Sequence, residues 1–171
     1  MATETELKLS FSAKDLPILL EHALISAPCK RQKLFNVYYD TPELSLMKGG
    51  TAVRERKILR KTLLTVKLAS PSMGGLHQRL EWEAPTTPGQ FDFQTLIDDP
   101  ELAEKMTRLA PQLVPIFTTD FVRRSWVVDF RGSQIEVAID LGNVVTKRLD
   151  GLLYEQEISE VECFGKNSHR R

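Results

Sequence analysis

Two cysteines in 171 residues, Cys29 and Cys163, are too few and too far apart to form a disulfide framework or a thiolate metal site. They read as reduced structural thiols. The three histidines, His22, His77 and His169, show no zinc-ligand spacing, so zinc chemistry is not expected. No apolar run approaches the roughly 18–20 residues of a membrane span. The acidic, polar N-terminus lacks the basic-then-apolar order of a secretory leader. These absences predict a soluble, cytoplasmic protein without membrane attachment. Net charge is missing too: 23 Lys and Arg balance 23 Asp and Glu. Bulk attraction to nucleic acid is therefore not expected, and any anion binding has to come from local segregation of charge. Gly49-Gly50 lacks the Gly-x-x-x-x-Gly-Lys-Ser/Thr context of a nucleotide loop and reads as a turn. No nucleophilic Ser or Cys with a partnered His is visible, nor any fixed-period repeat.

What the chain does have is charge at every second position of its strand-like segments. Glu4, Glu6 and Lys8 alternate with apolar Leu7 and Leu9, and Arg54-Glu-Arg56 and Arg79-Leu-Glu81-Trp-Glu83 repeat the device. A strand turns successive side chains to opposite faces, so each segment carries an ionic face and a more apolar one. The period-two acids are Glu4, Glu6, Glu81, Glu83, Glu136, Asp140, Glu160 and Glu162; the bases are Lys8, Arg54, Arg56, Lys67, Arg79 and Arg123. For any single strand, a solvated face is the ordinary explanation. Exposed ion pairs contribute only about 0–1 kcal/mol each, so stability gives little reason for so many. Taken together, the stripes predict a closed sheet with an ionic lumen and helices over its apolar exterior. Carboxylates there can hold Mg²⁺ or Mn²⁺, while Arg and Lys clamp phosphate oxygens, which is what phosphoryl transfer needs.

Local signals predict strands over residues 3–10, 35–39, 51–57, 63–68, 77–84, 117–121, 124–130, 134–141, 144–149 and 152–162. Ser12 with Asp15 has a capping-box-like spacing, and Leu16, Leu19, Leu20, Ala23 and Leu24 predict one helix to about residue 26. Asp99 followed by Pro100 opens a second helix ending before Pro111. Asp150-Gly151 marks a hairpin. Trp82 and Trp126 fall opposite the charged positions and read as packing beneath helices. Tyr38 and Tyr39 alternate, so one of them can reach the lumen, although core or rim packing is the commoner place for such residues.

Glu4-x-Glu6-x-Lys8 resembles the Glu-x-Glu-x-Lys signature of the CYTH superfamily, the triphosphate tunnel metalloenzymes. Further segments follow in the family's order: Asn36-Val-Tyr-Tyr-Asp-Thr-Pro42, Arg54-x-Arg56 and Thr65-Val-Lys67. Gly74-Gly-Leu-His-Gln-Arg79, Thr118-Thr-Asp-Phe-x-Arg123-x-x-Trp126 and Gly132-Ser-Gln-Ile-Glu-Val-Ala-Ile-Asp140 look like the CYTH domain of bacterial inorganic triphosphatases. The resemblance runs from about residue 4 to 162. It implies an α+β fold, an eight-stranded antiparallel β tunnel with flanking helices, acting with Mg²⁺ or Mn²⁺ to hydrolyse tripolyphosphate to pyrophosphate and phosphate. By position it assigns phosphate binding to Lys8, Arg54, Arg56, Lys67, Arg79 and Arg123, with Lys8, Arg54 and Arg56 nearest the chemistry. Metal coordination, or the orienting of attacking water, is assigned to Glu4, Glu6, Glu136, Asp140, Glu160 and Glu162. Thiamine triphosphatase, adenylate cyclase and a non-catalytic polyphosphate-binding module are the alternatives.

The resemblance weakens at the end. Ile158-Ser-Glu-Val-Glu162 begins the family's last strand, but Cys163-Phe164-Gly165-Lys166 replaces its continuation, and Glu155 and Glu157 offer a rival acidic register. The expectation is a tunnel domain over 1–162 and a divergent polar tail over 163–171, with no CHAD domain following. On this reading the C-terminal part is truncated, which would leave the tunnel incompletely closed and the activity impaired.

Overall fold

The computed structural model describes residues 2–69, 76–147 and 151–165, with side chains from residue 5 and, in the fifth strand, from residue 80. Eight strands form one antiparallel sheet: β1 (Ala2–Ser10), β2 (Lys30–Asp40), β3 (Thr51–Ile58), β4 (Lys61–Leu68), β5 (Leu76–Thr86), β6 (Val114–Phe130), β7 (Ser133–Lys147) and β8 (Leu153–Gly165). Their spatial order is β1-β5-β4-β3-β2-β6-β7-β8, and β8 pairs back to β1 through Lys8↔Glu162 and Ser10↔Glu160. The sheet is therefore a closed barrel, which removes the edges an open sheet would expose. Incomplete closure, expected from the unusual C-terminal sequence, is not observed. The boundary expected after residue 162 falls inside β8, because Cys163, Phe164 and Gly165 continue the strand along β7. Residues 166–171 lie outside the described ones.

Period-two alternation sorts the side chains as the sequence implies. Val53, Leu64, Val66 and Trp82 turn outward and are buried beneath α2 (Ser45–Lys48), α3 (Phe93–Leu96) and α4 (Pro100–Leu109), packed with Leu46, Phe93, Ala103 and Met106. Trp126 and Ile139 are covered on another side by α1 (Leu16–Leu20) and its flanking turns. Both indoles donate outward, Trp82 Nε1 to Asp98 Oδ1 at 2.6 Å and Trp126 Nε1 to the Ala27 carbonyl at 2.8 Å. Asp99 caps α4 by accepting from Leu102 N at 3.1 Å, with Pro100 in the first turn.

Two features depart from the local signals. The single helix expected from 16 to 26 is broken into a 3₁₀ turn, the five-residue α1 and a second 3₁₀ turn at Ala23–Ile25. Ser12 makes no side-chain cap there, and the His22 side chain instead accepts from Leu24 N at 3.3 Å and starts the later turn. The segments expected as separate strands on either side of residues 122–123 and 142–143 are the continuous β6 and β7. Gly142 looks like a break in the sequence. In the barrel it faces Phe121 in register, where a Cβ would collide with the Asp120 carbonyl oxygen and Phe121 Cα. Glycine there permits close approach of two strands rather than ending one. The Asp150-Gly151 hairpin signal lies mostly outside the described residues, Gly151 having φ +84°.

Candidate active site

The barrel encloses a cavity of about 850 Å³ whose lining includes Glu6, Lys8, Arg54, Arg56, Lys67, Glu81, Glu83, Arg123, Asp140, Glu160 and Glu162. Each lies on the ionic face that strand alternation assigns to its segment. Three predicted residues stand apart. Glu4 and Arg79 pair in register between β1 and β5, but their side chains lie outside the described ones. Glu136 shares the inward face of β7 with Asp140 yet is absent from this lining. The acidic register of β8 is set by Glu160 and Glu162, while Glu155 and Glu157 are exposed.

The ion pairs form two groups. Arg123 is gripped by β7 and β8: its Nε and Nη2 donate to Asp140 Oδ1 and Oδ2 at 2.8 and 2.6 Å, and Nη2 also donates to Glu162. Phe121 and Phe164 rings lie 5.9 and 5.4 Å from its guanidinium carbon. Lys8 joins the same cluster, with Nζ 2.8 Å from Glu160 and 3.1 Å from Glu162. Burial alone would push the Lys8 ammonium down, but Glu162 and Glu160 together hold it above the ordinary lysine range. Glu162 shows the converse: burial pushes it up, while Arg123 and Lys8 outweigh that and hold it low. Burial prevails at Asp140, which is raised against the pull of Arg123.

Opposite lies a looser cationic group. Arg54 Nη2 donates to Thr65 Oγ1 at 3.2 Å, and Thr65 in turn donates to Glu83 at 2.8 Å, with Arg54 itself 3.6 Å from Glu83. Arg54 Nε is buried without a hydrogen-bond partner among the described residues. Lys67 pairs with Glu81 at 3.3 Å. Arg56 is different: its Nε donates to the neutral Asn36 Oδ1 at 2.8 Å, and it forms no carboxylate ion pair among the described residues. Burial and the repulsion of Arg54 and Arg123 lower its affinity for its own proton to a pKa of about 10. This wall of the barrel therefore combines a half-buried guanidinium that meets no described carboxylate with a buried guanidinium N–H that has no hydrogen-bond partner among the described residues.

A CYTH domain model matches residues 2–169. The chain belongs to the CYTH family. It is 36% identical to the inorganic triphosphatase of Haemophilus influenzae, covering 95% of this chain but 45% of that protein, so it spans under half the length of this relative. Among solved structures, an adenylyl cyclase-like protein from Hippeastrum with a dominant triphosphatase activity is similar, with a TM-score of 0.62 at 21% identity. That match covers 96% of this chain and 80% of the other. A Pyrococcus horikoshii protein gives 0.54 at 16% identity, over 98% of this chain and 80% of its own. At such identities these two structures establish the shared CYTH fold alone.

Several residues of this CYTH cavity were not singled out from the sequence. Asn36, Thr119, Phe117, Phe121 and Phe164 all line it, and Thr65 is fully buried as the link between Arg54 and Glu83. Tyr38 is the tyrosine that reaches the lumen, stacked on Phe117 with centroids 4.4 Å apart, while Tyr39 packs outside against Phe91. Asn36 sits two residues before Tyr38 on a strand whose inward face was already fixed by period two, which is the signal that could have found it.

Proposed function

We propose that this CYTH domain is a metal-dependent inorganic triphosphatase that hydrolyses tripolyphosphate to pyrophosphate and phosphate inside the barrel. The observation that carries this reading is the convergence of Lys8, Arg54, Arg56, Lys67 and Arg123 on one enclosed cavity, with Arg56 lacking a carboxylate partner among the described residues. In it, Lys8, Arg54 and Arg56 act nearest the transferred phosphoryl group, and Lys67, Arg79 and Arg123 hold the remaining phosphates. Guanidinium forks match phosphate oxygens and concentrate positive charge where it develops negatively in the transition state.

The donor chemistry fits a divalent cation. Glu6, Asp140, Glu160 and Glu162 offer hard oxygen ligands on one wall, with Glu4 and Glu136 as further candidates on the same strand faces. Among the described residues no three acidic groups converge closely enough to hold a metal by themselves. That suits Mg²⁺ or Mn²⁺ bound through one or two carboxylates and the substrate's own phosphates. Charge balance points the same way: the described lining carries six carboxylates against five cations, an environment for an anion that arrives with a cation rather than alone. When bound, such a metal would neutralise phosphate charge and polarise water.

A second reading, cleavage of an organic triphosphate such as ATP or thiamine triphosphate, is supported by the Tyr38–Phe117 stack at the cavity wall, which can face a planar ring. Phosphate release from tripolyphosphate, ATP and thiamine triphosphate, measured side by side with and without Mg²⁺, decides between them. Tripolyphosphate is expected to be the preferred substrate and Mg²⁺ to be required. Faster release from either organic substrate would transfer the assignment to it; binding of all three without release would leave a polyphosphate-binding module.

A further inference from the structure

Three residues stand side by side across three strands: Arg56 on β3, Asn36 on β2 and Thr119 on β6, in direct register as Arg56↔Asn36 and Asn36↔Thr119. Asparagine is a poor strand former, and here it is 1% exposed on the inward face of a central strand. Both ends of its amide are engaged. Oδ1 accepts from Arg56 Nε at 2.8 Å, and Nδ2 donates to Thr119 Oγ1 at 2.7 Å. Arg56 Nε can only donate, so it fixes which way the amide faces, and the Thr119 hydroxyl accepts from the other end and holds the side chain in that place.

We infer that Asn36, held by Thr119, is a positioning residue that orients Arg56 for the substrate anion while leaving its charge unneutralised. This rests on the proposed reading of the cavity as a triphosphate site. The other cations of the cavity meet carboxylates: Arg123 meets Asp140 and Glu162, Lys8 meets Glu160 and Glu162, Arg54 meets Glu83, and Lys67 meets Glu81. Arg56 differs from them in meeting, among the described residues, a neutral acceptor and no carboxylate. Its Nε is occupied, and its two Nη groups make no hydrogen bond to a described residue, so the outer edge of the fork is the part left for ligand oxygens. A carboxylate at position 36 would satisfy the same geometry and would also supply the counter-charge that the anion is meant to bring.

Asn36→Asp makes that exchange with almost no change of shape, since the Thr119 hydroxyl can turn to donate to the new carboxylate. Calorimetric titration with tripolyphosphate in Mg²⁺, together with steady-state kinetics and thermal melting, is the experiment. The variant is expected to melt at or above the wild-type temperature. Its tripolyphosphate affinity is expected to fall by roughly ten- to hundredfold, the span of a lost charge-assisted contact. That loss should register in KM more than in kcat. Should Asn36→Asp fail to fold, Thr119→Val removes the hydroxyl that accepts from the amide and is expected to raise KM several-fold with kcat kept. Equal affinity in wild type and the variant that folds overturns this inference alone. No binding of tripolyphosphate by the wild type overturns the reading of the cavity, and this inference with it.

Discussion

Arg56 and Arg123 are both arginines on the inner face of the barrel, yet truncating them should produce opposite signatures. Arg123 neutralises Asp140 and Glu162, which are 2% and 6% exposed. Arg123→Ala strands two buried carboxylates and is expected to cost about 3–5 kcal/mol of fold stability. Arg56→Ala removes a cation crowded by Arg54 and Arg123, so stability should hold or rise slightly. Its loss should appear in tripolyphosphate binding, by roughly ten- to hundredfold, as expected for contacts to a charged group. Urea melts and calorimetric titration of both variants check the contrast; Arg56→Ala unfolding the domain, with affinity per folded molecule unchanged, would make it a structural cation. At this scale the charged residues were legible because alternation is a property of the chain itself. Asn36, Thr65 and Thr119 were not, since a neutral polar residue on a strand has no sequence feature distinguishing a buried hydrogen-bond relay from a wet surface. Their meaning comes from partners 20, 18 and 83 residues away.

Elements are joined here by side chains whose roles a linear reading assigns elsewhere. Asp40, which reads as a turn signal before Pro42, is 2% exposed and accepts from Thr41, Leu46 and Met47 N at 2.7–2.9 Å, anchoring α2. Glu55, one residue between two cavity arginines, faces outward instead. Its carboxylate accepts from Tyr39 OH at 2.9 Å and from Gly89 N at 2.7 Å, tying β2 and the β5–α3 connector to β3. Burial first, and then the Glu55 carboxylate, push the Tyr39 phenol up to about 12. The sign follows from an acid whose folded value exceeds its unfolded one, near 10. The clamp's contribution is complete below about pH 10 and is lost as pH rises toward 12, because the unfolded phenol ionises first. Ultraviolet titration should show a phenol ionising well above the ordinary tyrosine range, and Glu55→Gln should bring it part of the way back. A Tyr39 phenol that ionises in the ordinary range in the native protein would mean the clamp is not formed. The α1 region was less legible for a related reason: apolar spacing marks which residues pack against Trp126 and Ile139, but not whether a short covering segment completes its helical turns.

The whole molecule is a closed barrel in which neither charge sign dominates the interior, and this makes ligand and metal interdependent. Closure was readable only as a collective property of many stripes, because no single strand distinguishes a lumen from a solvated face. The long β6 and β7 pair continuously with each other, passing through a close approach at Gly142 that the sequence presents as a break. Since the described acids form no cluster able to hold a metal alone, Mg²⁺ without substrate should barely change the melting temperature. Tripolyphosphate with EDTA should raise it modestly, drawing on the cationic wall. The two together should raise it most. A ligand present at about 100 times its Kd adds roughly 2.7 kcal/mol to native stability. For a domain of this size that corresponds to about 5–10 °C. Thermal melting across these conditions, repeated with Arg56→Ala, measures the coupling directly. A full shift from Mg²⁺ alone would reveal a preformed metal site and remove the case for a metal that arrives with its triphosphate. No shift under any condition would deny that the barrel interior binds the anion at all, because anything that binds only the native state has to stabilise it.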